Sequence, residues 1–154
     1  AYFEDSDIKA KGQEDNLAHF TLGDVCELFL KPVGREWYWE MYGTPLGKKT
    51  CYFLSEHRAK PKVVTDVNLR VGAWNFGTLN YSGDKDEGWS VEIAVALDDL
   101  KRGEISECQW EILVARYNYS EHLVHESPEY SSSPALSKTD YHLLDEYAEL
   151  RMIK

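Results

Sequence analysis

The segment Trp89-Ser90-Val91-Glu92-Ile93-Ala94-Val95-Ala96-Leu97 carries the pattern that decides the fold. Its odd-numbered side chains are large and apolar, whereas Ser90, Glu92 and the alanines between them are polar or small. Successive side chains of a β-strand point to opposite faces, so a period of two is typical of a half-buried strand. The segment therefore predicts a strand with one face in a core.

The same alternation recurs along the chain. It predicts further strands over residues 24–31, 36–42, 68–76, 109–118 and 149–153. Asp98 is placed to cap a short helical turn over residues 98–102 that Gly103 would close. Residues 118–144 show neither period, and a stretch of this length is usually functional or fastened to the surface. Many strands with one short helical turn predict an all-β, antiparallel β-sandwich.

Length, charge and composition narrow the class of protein. The 154 residues suit one domain with a buried core. A formal net charge of −10 argues against nucleic acid as a partner, because phosphate contacts require clustered cations. No apolar run reaches the roughly 20 residues that span a bilayer, so no membrane partner is expected. The 10 Tyr, 5 Trp and 5 Phe supply flat apolar faces for a ligand.

The cysteines leave the redox compartment open. Cys26, Cys51 and Cys108 lie far apart without a C-x-x-C pair, so a zinc site is not expected. Either one disulfide with one thiol left over or free, partly buried cysteines would fit this spacing.

Six short segments, spread over nearly the whole chain, follow one another in an order that resembles family 9 carbohydrate-binding modules and their DOMON-like relatives. They are EDSDI (4–8), DVCELFL (24–30), YWEMY with PLG (38–47), GTLN (77–80), DEGWSVEIA (86–94), and YH followed by YAEL (141–150). The resemblance implies a sandwich of the DOMON-like jelly-roll type that binds an oligo- or polysaccharide without catalysis or cofactor. It also implies a secreted or extracytoplasmic setting, in polysaccharide recognition or degradation.

The family's domain normally carries further strands before the Asp-Ser-Asp-Ile motif, which starts here at residue 5. We therefore expect a single domain over residues 1–154, in which either the family's N-terminal strands have been lost or the sequence is a fragment of a longer precursor. Some family members also carry structural calcium. Asp84-x-Asp86-x-Gly88 resembles the front of a calcium loop without its bidentate Glu, and ordinary turn-forming Asp is the simpler interpretation.

Sugar sites pair aromatic plates with hydrogen-bonding groups. The family's two stacking tryptophans correspond here to Phe20 or Thr21 and to Tyr141, so the resemblance implies stacking by Phe20 and Tyr141. The alternative for Tyr141 is a surface tyrosine that packs on the long loop. Trp74 alternates away from the apolar side of its strand and is a further candidate. The other tryptophans lie on apolar strand faces and are expected in the core: Trp37, Trp39, Trp89 and Trp110.

Four polar residues complete the candidate carbohydrate site. Glu27 matches an acidic position of the family, Tyr42 replaces a polar one, and His142 follows Tyr141 in the closing motif. Arg116 could present its guanidinium group to neighbouring hydroxyls. Structural roles stay open for all of them: an ion pair of Glu27 with Arg116 or Lys31, and a loop cap for His142.

Other functions are less well supported by the sequence. Glu27, Glu40 and Glu92 could converge as a hydrolytic pair, but their spacing does not demand it. His57, His122, His125 and His142 have no recognisable nucleophile beside them. Haem binding through axial Met would rest on Met41, which is expected in the core, or Met152. A sandwich that contacts proteins through the Tyr-rich loop cannot be separated from a sugar-binding one by sequence alone.

Overall fold

The computed structural model describes residues 1–102, 109–120 and 127–151. Within these ranges the chain forms ten strands, a four-residue helix α1 (Leu97–Leu100) and 3₁₀ turns at His19–Thr21 and Leu144–Glu146. The strands are β1 (Tyr2–Glu4), β2 (Val25–Pro32), β3 (Tyr38–Gly43), β4 (Lys49–Leu54), β5 (Lys62–Val63), β6 (Leu69–Phe76), β7 (Gly88–Val95), β8 (Trp110–Asn118), β9 (Glu129–Ser133) and β10 (Ala148–Leu150).

Two antiparallel sheets pack face to face. The smaller sheet has the order β1-β7-β6, and the larger has the order β10-β8-β2-β3-β4-β5. Strand β9 also pairs with β8, next to Val114–Asn118, while β10 pairs with Trp110–Ile112 of the same strand. The prediction of an all-β, antiparallel sandwich is confirmed.

The core between the sheets follows from the alternation seen in the sequence. Trp89 and Val91 of β7 point toward the larger sheet, where Cys26, Trp39 and Met41 point back. All five side chains are at most 2% exposed. Burying apolar side chains of this size stabilises the fold by roughly 1.5–3 kcal/mol each. The interface between the sheets is therefore the main source of stability.

A second apolar layer covers the outer face of the larger sheet. Phe29, Leu54 and Leu113 point away from the smaller sheet and pack against Tyr141 and Tyr147 from the segment between β9 and β10. This segment therefore lies over the sheet and shows no strand or helix period of its own. Because both of its faces are covered, β3 is buried along its whole length.

Several boundaries differ from the prediction. Helix α1 begins at Leu97 with Ala96 at its N-cap, so Asp98 lies inside the first turn and makes no side-chain cap. The last strand is Ala148–Leu150, which begins one residue before the predicted start at residue 149. Residues 152 and 153 of the predicted strand lie outside the described residues, and so does Gly103, which was expected to close the helical turn. Strands β1, β4, β5 and β9 were not predicted. No helix in the described ranges has the length and apolar character needed to cross a bilayer.

Cys26 and Cys51 are buried free thiols, and burial raises the pKa of each to about 12. Both face the core between the sheets. Cys108 lies outside the described residues, so of the two alternatives the structure supports free, buried cysteines for this pair.

Candidate functional site

A cleft of about 830 Å³ lies on the outer face of the larger sheet. Roughly 300–1,000 Å³ is usual for small-molecule sites. Strands β2, β3, β4 and β8 provide its floor. Phe20, from the 3₁₀ turn before β2, forms one wall, and residues 139–142 form the other. Lys60 and Pro61 also line it, and the exposed Lys60 side chain places them at the mouth.

Five of the seven candidate residues line this one cleft: Phe20, Glu27, Tyr42, Tyr141 and His142. Strand register explains how the floor is formed. Glu27 of β2 is paired with Tyr42 of β3, so both side chains project from the same face. Ala115 of β8 is opposite Glu27 on its other side.

Two carboxyl groups are buried in the floor of the cleft. Glu27 is 2% exposed and Glu40 is 5% exposed. The Tyr42 hydroxyl donates a hydrogen bond to the Glu40 carboxylate. Burial, reinforced by the neighbouring Glu40 charge, raises the pKa of Glu27 well above its usual range, and burial raises the pKa of Glu40 to about 7. Burial therefore favours the protonated form of both carboxyl groups relative to an exposed glutamate.

An aromatic belt runs along the cleft. We use this name for six lining side chains whose rings contact one another in a chain: Phe20, Tyr42, Tyr52, Tyr117, Tyr130 and Tyr141. The ring centroids of Phe20 lie 6.2 Å from Tyr42 and 5.8 Å from Tyr117. Those of Tyr42 and Tyr52 are 5.5 Å apart, and those of Tyr117 and Tyr130 are 4.9 Å apart. The belt gives the cleft apolar walls beside its acidic floor.

Tyr141 and His142 are held rigidly by hydrogen bonds. The Tyr141 hydroxyl lies 2.6 Å from the carbonyl oxygen of Arg116 and 3.0 Å from that of Ser131, and donates to them. His142 Nδ1 lies 2.8 Å from the Tyr38 hydroxyl, and burial lowers the pKa of His142, which favours the neutral ring. Tyr141 is thus a buried structural anchor whose ring also lines the cleft, rather than a surface tyrosine.

The structure does not bring Arg116 to this cleft. On β8 it lies on the same face as Val114, which is the inner side of the sheet. There its Nη2 lies 2.6 Å from the Asp5 carboxylate and its Nη1 donates to the carbonyl oxygen of Glu4 at 2.8 Å. Lys31 pairs with Glu111 at 2.5 Å. Neither cation that sequence analysis considered as a partner for Glu27 therefore contacts it.

Trp74 also lies away from the cleft. It stands on the outer face of the smaller sheet and is 68% exposed, as its alternation predicted. The other tryptophans pack in the core: Trp39, Trp89 and Trp110 are buried, and Trp37 is half-buried against Trp110. Trp74 and the cleft are thus on opposite faces of the sandwich.

The residues of the other predicted functions are separated. Glu92 is exposed on β7, so only Glu27 and Glu40 of the three glutamates converge. Asp86 accepts hydrogen bonds from the backbone N–H groups of Ile8 and Thr78, which is a structural turn role. Among the described residues no group of three or more metal-ligating side chains occurs.

Met41 is fully buried in the core, as expected, and His57 is exposed. Met152, His122 and His125 lie outside the described residues.

Sequence analysis missed three side chains that shape the cleft: Tyr52, Tyr117 and Tyr130. It considered Glu40 only as part of a hydrolytic pair. The sequence did contain a signal for Glu40, because it shares one face of β3 with Tyr42, opposite the face of Trp39 and Met41. The pairing of β2 with β3 then places Glu40 diagonally across from Glu27 on the same face.

Comparison with known proteins shows a likeness in fold. No protein family matches the chain, and no curated protein matches it significantly. Among solved structures, the chain is similar to a candidate carbohydrate-binding protein from Bacteroides uniformis. The two share 11% sequence identity with a TM-score of 0.68, and the match covers 96% of this chain and 69% of the other. At this identity the comparison establishes the architecture alone.

Proposed function

We propose that this protein binds carbohydrate, without catalysis, in the cleft on the outer face of its larger sheet. The observation that carries the proposal is the convergence of the aromatic belt with two buried carboxyl groups in one open cleft. The candidate carbohydrate-binding protein with the same architecture supports it.

The chemistry of the lining suits a sugar ring. Sugars present apolar C–H faces that pack on aromatic rings, and hydroxyl groups that need planar or charged partners. Phe20 and Tyr52 offer half-buried rings at the two sides of Tyr42. Glu40 and the Tyr42 hydroxyl offer hydrogen-bonding groups beneath them. Phe20 and Tyr141 thus keep the stacking roles proposed from the resemblance, whereas Trp74 and Arg116 are left out of this cleft.

The placement of the two carboxyl groups favours binding over hydrolysis. Glycoside hydrolysis requires two carboxyl groups that flank the scissile bond, with an acid on one side and a base or nucleophile on the other. Glu27 and Glu40 instead project from adjacent strands in the same direction, and the Tyr42 hydroxyl lies beside both. A sugar above them would meet both groups from the same side.

The test is calorimetric titration with a panel of soluble oligosaccharides. The Phe20→Ala variant removes an aromatic side chain from the cleft wall, and Trp74→Ala is its matched control on the opposite sheet. We expect Phe20→Ala to weaken binding on the order of tenfold, which corresponds to about 1.4 kcal/mol. Trp74→Ala should leave the affinity unchanged.

Three outcomes would overturn the proposal in different ways. Equal loss in both variants, or loss only in Trp74→Ala, would place the sugar elsewhere. No detectable binding to plant, algal or host glycans would favour a role in protein contact. Release of shorter products on prolonged incubation, abolished in Glu40→Gln, would make the protein a hydrolase. For the setting, we propose a secreted or extracytoplasmic role in polysaccharide recognition, in keeping with the family resemblance.

A further inference from the structure

We infer that the sugar bound in this cleft carries a cationic amino group that sits between the two buried carboxyl groups and the aromatic belt. The ligand class is therefore an amino sugar with a free ammonium group, such as a glucosamine oligosaccharide. This inference rests on the proposed function and narrows its ligand.

The cleft contains two carboxyl groups that have no cation beside them among the described residues. Among the described residues, no Lys, Arg or His forms an ion pair with Glu27 or Glu40. The Tyr42 hydroxyl has one proton to donate and gives it to Glu40. Burying a carboxylate without a cation or several hydrogen bonds is costly, so this site favours either protonated carboxyl groups or a bound cation.

Aromatic side chains line the cleft beside the carboxyl pair. Both carboxyl groups line the cleft together with the rings of Tyr42, Tyr52 and Tyr117. Aromatic faces attract cations, and more strongly when both partners are shielded from water. An ammonium group can compensate the charge of the deprotonated carboxyl pair, whereas a neutral hydroxyl cannot, so this lining suits an ammonium group better.

The remaining charged groups at the cleft do not occupy this position. Lys60 is exposed at the mouth. Asp140 pairs with Arg58 and lies 3.7 Å from Lys138 Nζ. His142 is engaged with the Tyr38 hydroxyl and favours its neutral form. Acidic side chains therefore outnumber basic ones in the lining of the cleft, in keeping with the net charge of the chain.

Three trisaccharides with the same ring and linkage test the inference: cellotriose, the glucosamine trimer and the N-acetylglucosamine trimer. They differ only in carrying a hydroxyl, an ammonium or an acetamido group at carbon 2. At pH 6 we expect the glucosamine trimer to bind on the order of tenfold more tightly than either of the others. Titration in two buffers of different ionisation enthalpy should show release of up to about one proton with this trimer alone.

Variants separate the carboxyl pair from the rest of the protein. In Glu27→Gln combined with Glu40→Gln, the ratio of glucosamine-trimer to cellotriose affinity should fall to near one. In Glu92→Gln, whose side chain is exposed on the other sheet, the ratio should persist. Thermal melts at pH 6 check that the double variant is folded.

If cellotriose or the N-acetylated trimer binds as tightly as the glucosamine trimer, the cationic ligand is wrong and carbohydrate binding stands. An amine preference that survives in the double variant would also overturn the inference. If none of these trimers nor any member of the wider panel binds, both the proposed function and this inference fail.

Discussion

Replacing Glu40 by glutamine should stabilise the protein at alkaline pH relative to the wild type. Burial raises the pKa of this carboxyl group from 4.5 to about 7 in the folded state. A group with a raised pKa stabilises the fold below its unfolded pKa, and this contribution is lost as the pH rises through the folded pKa. The wild type should therefore lose stability between pH 5 and pH 8.

The magnitude follows from the shift. Each pKa unit corresponds to about 1.4 kcal/mol, so the free energy of unfolding should fall by roughly 2 to 3 kcal/mol over this range because of Glu40. Glutamine has nearly the same shape, cannot ionise, and still accepts the Tyr42 hydrogen bond through its amide oxygen. The advantage of Glu40→Gln over the wild type should therefore grow by this amount between pH 5 and pH 8.

Urea unfolding at pH 5, 6, 7 and 8 measures this difference, with the m-value as a check on two-state behaviour. Glu92→Gln is the control, because it removes the same charge from an exposed position on β7. Its difference from the wild type should stay nearly constant with pH. A constant difference for Glu40→Gln as well would show that Glu40 titrates normally, and the acidic floor of the cleft would have to be reconsidered.

Two further substitutions test a buried ion pair on the inner side of the larger sheet and a hydrogen-bonded tyrosine of the cleft. Arg116→Met leaves the buried carboxylate of Asp5 without its cation, so we expect it to lower the free energy of unfolding in urea by about 3 kcal/mol or more. Lys101→Met, at an exposed ion pair, should lower it by less than about 1 kcal/mol. Similar losses in the two variants would refute the assigned burial. Tyr141→Phe removes the hydroxyl that donates to the carbonyl oxygens of Arg116 and Ser131. We expect this variant to lose about 1 kcal/mol in the free energy of unfolding and to keep its oligosaccharide binding. Loss of binding without loss of stability would instead make this hydroxyl a ligand contact.

The strands that sequence analysis predicted share one property: a clear apolar face. In β7 the apolar and polar positions alternate because one face meets the core and the other meets solvent. Strand β4 (Lys49–Leu54) was missed because residues 51–54 are all apolar and show no alternation. Phe53 faces the core between the sheets, and Leu54 faces the second apolar layer. Strand β9 (Glu129–Ser133) was missed because it has little apolar character and is held by pairing with β8.

Some residues of the candidate site could likewise be placed from local sequence patterns, and others could not. Glu27 and Tyr42 could be placed on one face from local alternation, and the pairing of β2 with β3 brings them together. The alternation of β8 placed Arg116 with Val114 on the opposite face, so its exclusion from the cleft was already implied. Tyr130 and Tyr52 depend on how β9 and β4 join the larger sheet. That arrangement is set by contacts between distant segments and has no local signal.

The most direct test of the account is a heteronuclear NMR titration of the protein with the oligosaccharide that binds best in the calorimetric panel. The account predicts that the largest chemical-shift changes lie on the strands and the wall of the cleft, at Phe20, Glu27, Glu40, Tyr42 and Tyr52. Changes centred on Trp74 and Phe76, on the exposed face of the smaller sheet, would contradict it and place the ligand on the opposite side of the sandwich.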